Sequence, residues 1–185
     1  MKTVVVVAYD PGWPETFELL RSRIWPVVND IATAIEHVGS TAVPGLAAKP
    51  VIDLDVVVPS ESDIATAIQR LETVGYVHRG DLGVAGREAF RPPASLPRHH
   101  LYLCPASSPA LANHLAVRNH LRTRPDLVAE YGVLKTQLAP RFAHDSDGYT
   151  AGKTRMLLRL LREAGLPPDQ IAAVEQINRR TVRDC

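Results

Sequence analysis

Glu36-His37-Val38-Gly39-Ser40-Thr41 and, shortly after it, Lys49-Pro50-Val51-Ile52-Asp53-Leu54-Asp55-Val56 form the stretch from which the fold is read. An apolar run leads into a Gly-Ser turn. Twelve residues separate Ser40 from Asp53, and two carboxylates then take alternate positions inside a second apolar run. Alternate residues of a strand share a face, so Asp53 and Asp55 project together while Val51, Ile52, Leu54 and Val56 to Val58 fill a core. Two like charges side by side repel and resist burial. A divalent cation or a cationic substrate group neutralises such a pair. Magnesium, which prefers oxygen ligands and bridges carboxylates to nucleotide phosphates, is the first candidate. The bland alternative is that the two acids cap loops or pair with Lys49 and Arg91.

The rest of the chain sets the context. Its 185 residues suffice for one good core, or one domain with a helical appendage. Apolar content of 45% and charged content of 22% are ordinary for a globular protein. With 21 basic and 20 acidic residues, the balance gives no ground for nucleic-acid or membrane binding. Cys104 and Cys185 are far apart and form neither a disulfide framework nor a metal cluster. The longest apolar run, Val4 to Ala8, is too short for a membrane span or a signal core. A cytoplasmic protein is the expectation.

In chain order, the β-branched stretch Thr3 to Tyr9 reads as a strand closed by the turn Asp10-Pro11-Gly12. Phe17, Leu20, Ile24 and Val28 recur at helical spacing, giving a helix over Trp13 to Val28 that Pro26 should kink or end. Ile31 to Val38 is a strand, and Val43 to Ala48 a Pro/Gly/Ala-rich loop. The carboxylate strand runs to Val58. A helix starts near Pro59 to Ser62 and ends at Gly75. Tyr76 to His78, Arg87 to Arg91 and His99 to Cys104 are further strands, with a glycine-rich loop over Gly80 to Gly86. Pro109 to Arg122, Pro125 to Phe142, Tyr149 to Ala164 and Pro168 to Arg179 read as helices. The expected organisation is an α/β core over residues 1–105 and a helical region over 106–185 packed tightly on it.

The Gly-Ser pair a dozen residues before an Asp-x-Asp strand resembles the nucleotidyltransferase superfamily pattern. That resemblance implies a mixed sheet with flanking helices, a Gly39-Ser40 turn that holds nucleotide phosphates, and an Asp53–Asp55 pair that binds metal. The physics agrees: glycine permits close backbone approach, and amides and the Ser40 hydroxyl donate to phosphate oxygens. The longer stretch His37 to Asp55 is similar to the signature of the GrpB family. Tyr9 to Trp13, His99 to Tyr102, Val117 to Arg122, Tyr131 with Leu134-Lys135, and Tyr149 with Lys153 agree in order, covering residues 4 to about 164. Family members fused to dephospho-coenzyme A kinase imply a nucleotide or coenzyme A connection by association. Two departures stand out. Asn119 replaces the family's aspartate, and the strand His99 to Cys104 offers His100 and Tyr102 where the superfamily often supplies a third carboxylate.

Further candidates follow from spacing. His99 and His100 point to opposite faces, so at most one meets the site; His100 is chosen, and His37 is read as structural. Tyr149 with Lys153, Tyr131 with Lys135, and Arg118 with Arg122 lie four residues apart on three helices. Spacing alone leaves these as solvated helix faces or as a basic wall opposite the carboxylates; the family resemblance favours the wall for Arg118, Lys135, Tyr149 and Lys153, with Lys49 and Arg91 also on phosphate. Arg122, Arg155, Arg159 and Arg162 read as solvated. The expected function is a magnesium- and nucleotide-dependent nucleotidyltransferase or ligase, using ATP on a small-molecule acceptor. The alternative is a non-catalytic nucleotide- or coenzyme-A-binding accessory domain. Oligomeric state, acceptor and base preference are not read from the sequence.

Overall fold

A computed structural model describes residues 3–180; Cys185 lies outside them. The strands are β1 (Ala34–Val38), β2 (Ile52–Val58), β3 (Val77–His78), β4 (Glu88–Arg91) and β5 (His99–Pro105). The helices are α1 (Trp13–Val28), α2 (Ile64–Thr73), α3 (Pro109–Arg122), α4 (Pro125–Arg141), α5 (Ser146–Glu163) and α6 (Pro168–Arg180). The result is a mixed α+β fold around one five-stranded sheet, ordered β1-β2-β5-β4-β3. Only β2 and β5 run parallel, and the other neighbours are antiparallel.

The period of two in β2 decides which side is core. Ile52, Leu54, Val56 and Val58 face α1 and α2, meeting Leu20, Ile24 and Leu71 in the main hydrophobic cluster. Asp53, Asp55 and Val57 face the other way, towards α3, where Leu111 packs on Val57 and Cys104. Register places Val38 beside Asp53 and Glu36 beside Asp55 on one flank. His100 and Tyr102 stand beside the same two acids on the other. One face of the sheet is therefore polar at its centre.

The helices hold their expected places with small shifts. Helix α5 starts three residues earlier than its apolar spacing suggests, because Asp145 caps it, accepting from the Gly148 amide at 2.8 Å. Pro26 does not end α1. The helix runs two residues past it without the proline's amide hydrogen bond, and Val28 beyond it is fully buried in the core that holds this turn in place. The N-terminal stretch departs further from expectation. Thr3 to Tyr9 is not a sheet strand: Val7 makes one antiparallel bridge with Ala48. The Val4 amide bonds to Ala143, and Val4 packs with Leu138 and Tyr149. Its β-branched residues form an extended tie between the loop before β2 and the end of α4, leaving Val5 and Val7 exposed. No helix among the described residues is long and apolar enough to cross a membrane.

Candidate functional site

Gly39 shapes the turn between β1 and the acids. Its φ of 70° and ψ of −167° suit glycine alone. A Cβ there would fall well inside contact distance of the Asp53 carboxylate. The absent side chain lets the turn close directly over Asp53. A 3-10 turn, Ser40–Ala42, follows. Beneath it His37 is stacked on Phe17 at 4.7 Å, with Nε2 3.0 Å from the Thr41 hydroxyl. Burial lowers the His37 pKa to about 4, so this imidazole is a neutral brace, as its structural reading requires.

Two cavities meet at Ser40, Asp53 and Lys153. The smaller, about 170 Å³, lies between the turn, the start of β5 and helices α4 and α5. Lys49, Lys135, Lys153, Tyr149, Thr41 and His100 complete its wall. The chain has only four lysines, Lys2, Lys49, Lys135 and Lys153, and three of them converge here. Lys49 and Lys153 place their ammonium groups 5.1 and 4.6 Å from the Tyr149 ring centre, and Lys135 lies 4.5 Å from that of Tyr131. Among the described residues none of the three forms an ion pair. Burial lowers the Lys49 pKa, against the pull of Asp53. Burial, then the charge on Lys49, brings Lys153 to about 8. Burial, then Lys153, brings Lys135 to about 6. Crowded cations with so little opposing charge call for an anion.

The larger cavity, about 530 Å³, is walled mainly by aliphatic side chains, among them Val38, Val84, Val117, Leu121, Leu157 and Leu161. Its polar groups include Asp53, Tyr102, Arg87 and His114. The Arg87 guanidinium lies 4.2 Å from the Tyr102 ring centre. Burial first, then the nearby negative charge of Asp53, pushes the Tyr102 hydroxyl up to about 12.

The two acids differ sharply in access. Asp53 borders both cavities and accepts from His100 Nδ1 at 2.8 Å. Asp55 is 0% exposed and lines neither cavity. Its Oδ2 accepts from His114 Nδ1 at 2.8 Å, and its Oδ1 is buried without a partner. Burial disfavours charge on His114, but the Asp55 charge and hydrogen bond outweigh it and raise the pKa. A magnesium ion clamped between Asp53 and Asp55 would have to reach a carboxylate that is 0% exposed and lines neither cavity. Among the described residues no set of three or more His, Cys, Asp or Glu is placed to hold a metal. What the chain offers a hard cation is Asp53, packed under the Gly39 turn where the two cavities meet.

Of the residues singled out from sequence, Gly39, Ser40, Lys49, Asp53, His100, Lys135, Tyr149 and Lys153 come together around these cavities. Three others do not join them. Arg91 is exposed on β4 and lines neither cavity. Arg118 pairs with Glu36 at 2.6 Å and donates to the His37 carbonyl at 2.9 Å, tying α3 to β1 instead of facing a ligand. Asp55 lies behind His114. Sequence reasoning missed His114, Arg87 and Thr41. His114 precedes Arg118 by one helical turn, and that spacing was the available signal. His99 turns to the core, bonding Tyr76 at 2.8 Å, so His100 is the one that meets the cleft.

Comparison with known proteins agrees with this architecture. A family model described as GrpB protein matches residues 3–163. The UPF0157 protein YqkA of Bacillus subtilis is 34% identical over 152 residues, which is 82% of this chain and 44% of that protein. This chain thus spans less than half of YqkA. The crystal structure of the conserved protein GrpB from Enterococcus faecalis is 33% identical, with a TM-score of 0.78 over 86% of this chain and 96% of that one. The Cid1 poly(U) polymerase, solved bound to MgATP, is 11% identical with a TM-score of 0.55 over 80% of this chain and half of that one. That likeness shows a nucleotidyltransferase-like fold. A 76-residue stretch is 36% identical to a dephospho-CoA kinase of Mycolicibacterium paratuberculosis, covering 40% of this chain and 19% of that enzyme.

Proposed function

This chain belongs to the GrpB family, and on that footing we propose that its cleft binds the phosphates of a nucleoside triphosphate and presents them to a small acceptor. One observation carries the reading: three of the chain's four lysines converge with Ser40 and Thr41 on one small cavity. Lys49 and Lys153 supply charge to the phosphates, and the Ser40 hydroxyl supplies a donor at the Gly39 turn. The larger cavity receives the acceptor. Asp55 takes His114 Nδ1, which leaves Nε2 as the ring nitrogen for an acceptor proton. An acceptor hydroxyl or amine attacks the α-phosphorus, its proton passes to His114, and pyrophosphate leaves. Magnesium, which commonly binds one or two carboxylates plus substrate phosphates, would be held by Asp53 and would offset phosphate charge.

Thermal unfolding against each nucleoside triphosphate and coenzyme A, with and without magnesium, tests the binding reading. A ligand at a hundred times its Kd stabilises by about 2.7 kcal/mol, roughly 5–10 °C for a chain of this size. A shift with a triphosphate, lost in Lys153→Gln, is expected; no shift with any triphosphate overturns it. A second reading, a non-catalytic binder of coenzyme A or a related molecule, is favoured by the aliphatic wall of the larger cavity. That wall suits a flexible apolar arm better than a base. A shift with coenzyme A alone would select it.

A further inference from the structure

Lys135 is the least suited of the three lysines to carry a positive charge. It is 2% exposed and its Nζ has no hydrogen-bond acceptor. Tyr131 faces it from its own helix, and Lys153 and Tyr149 from α5. Lys49, Ser40 and Thr41 come from the loop, and Asp53 and His100 from the sheet, all around the same small cavity. Two ammonium groups beside it, and no partner for its own, disfavour a third charge. A neutral amine keeps its lone pair, and desolvation next to another cation is a setting in which lysines become nucleophiles.

We propose that Lys135 is a nucleophilic amine that condenses with the carbonyl carbon of a small phosphorylated aldehyde or ketone, whose phosphate Lys49 and Lys153 hold. The nitrogen lone pair attacks the carbonyl carbon and a C–N bond forms. The amine gives up two protons, the carbonyl oxygen leaves as water, and an imine remains, so no oxidant or reductant is needed. Lys153, an ammonium in the same cavity, is the proton donor for the departing oxygen. Near neutral pH the two lysines fall on opposite sides of this exchange, with Lys135 brought to about 6 and Lys153 to about 8. The proposal rests on the same phosphate subsite as the nucleotide reading, but not on a nucleotide.

The test incubates the full chain at pH 7 with glycolaldehyde phosphate or, separately, butyraldehyde. Borohydride then fixes any imine, and peptide mass spectrometry locates it. Lys135 is expected to carry the main label, formed at least tenfold faster with the phosphorylated probe, and ATP should slow it. Lys135→Met should show no label at that position while melting at or above the parent chain's temperature, since it removes a buried amine that has no acceptor. Label confined to Lys2, Lys49 or Lys153, or none at all, overturns the amine even if ATP still shifts the melting point. Equal labelling of Lys135 by both probes overturns the phosphate half and weakens the nucleotide reading with it.

Discussion

Gly39 is the residue at which one added carbon does most harm. Gly39→Ala forces a Cβ against the Asp53 carboxylate and a strained φ of 70°. Strain of that kind costs about 1–3 kcal/mol, so urea unfolding should show a loss of roughly 2–4 kcal/mol once the overlap is included. Lys135 makes the opposite prediction. Its folded pKa, about 6, lies below the unfolded value of 10.5. The unfolded chain therefore binds the proton more tightly, and stability rises with pH. The penalty is fully present below about pH 6 and fades towards pH 10.5. Lys135→Met should thus be more stable than the parent at pH 7, on the order of a few kcal/mol, with the gap shrinking at pH 9.5 in urea titrations. A gap that does not narrow with pH would mean that the amine is charged in the folded protein. The same substitution should remove label at that position, a cost in function for a gain in stability.

Helix α3 joins the sheet to the helices that close the cleft, and it does so through three side chains four residues apart. His114 meets Asp55 on β2, Arg118 meets Glu36 and the His37 carbonyl on β1, and Arg122 donates twice to the Ala42 carbonyl at 2.8 and 2.9 Å. Arg122 is exposed, as its sequence reading had it, yet it pins the loop after the Gly-Ser turn. Arg118→Met should cost about 1.5–3 kcal/mol, the range for hydrogen bonds to charged groups, while leaving ATP affinity within threefold. A large loss of affinity without loss of stability would return Arg118 to the site. Elements of this kind were legible because apolar residues repeat at 3.6 or 2, which the core enforces. The N-terminal stretch was misread because β-branched composition is a local preference, and whether Val4 to Val7 joins the sheet depends on which edge is free. Tertiary ties such as Arg118 to Glu36 leave no local trace.

Across the molecule, the sheet's polar face and the helical half make one cleft with two chambers, one cationic and small, one aliphatic and larger. The turn, Asp53 and the tyrosine–lysine pairs were readable from spacing and family resemblance. The burial of Asp55 was not, because an Asp-x-Asp strand says which face both acids share but not which helix covers one of them. That four lysines stand in a chain whose basic residues are otherwise arginine was visible in composition, though only the fold shows where three of them meet. If transfer is found, its rate should rise with pH through the raised pKa of His114, since a base must be neutral to accept a proton. His114→Gln should cut turnover about a hundredfold or more with ATP affinity unchanged, read from initial rates and binding together. The measurement closest to the central claim is a calorimetric titration of ATP into the parent chain and into Lys153→Gln. Saturable one-to-one binding, weakened at least tenfold by the substitution, is the expected result; no saturable binding, or equal affinity in both, would contradict the phosphate-binding role of the lysine chamber.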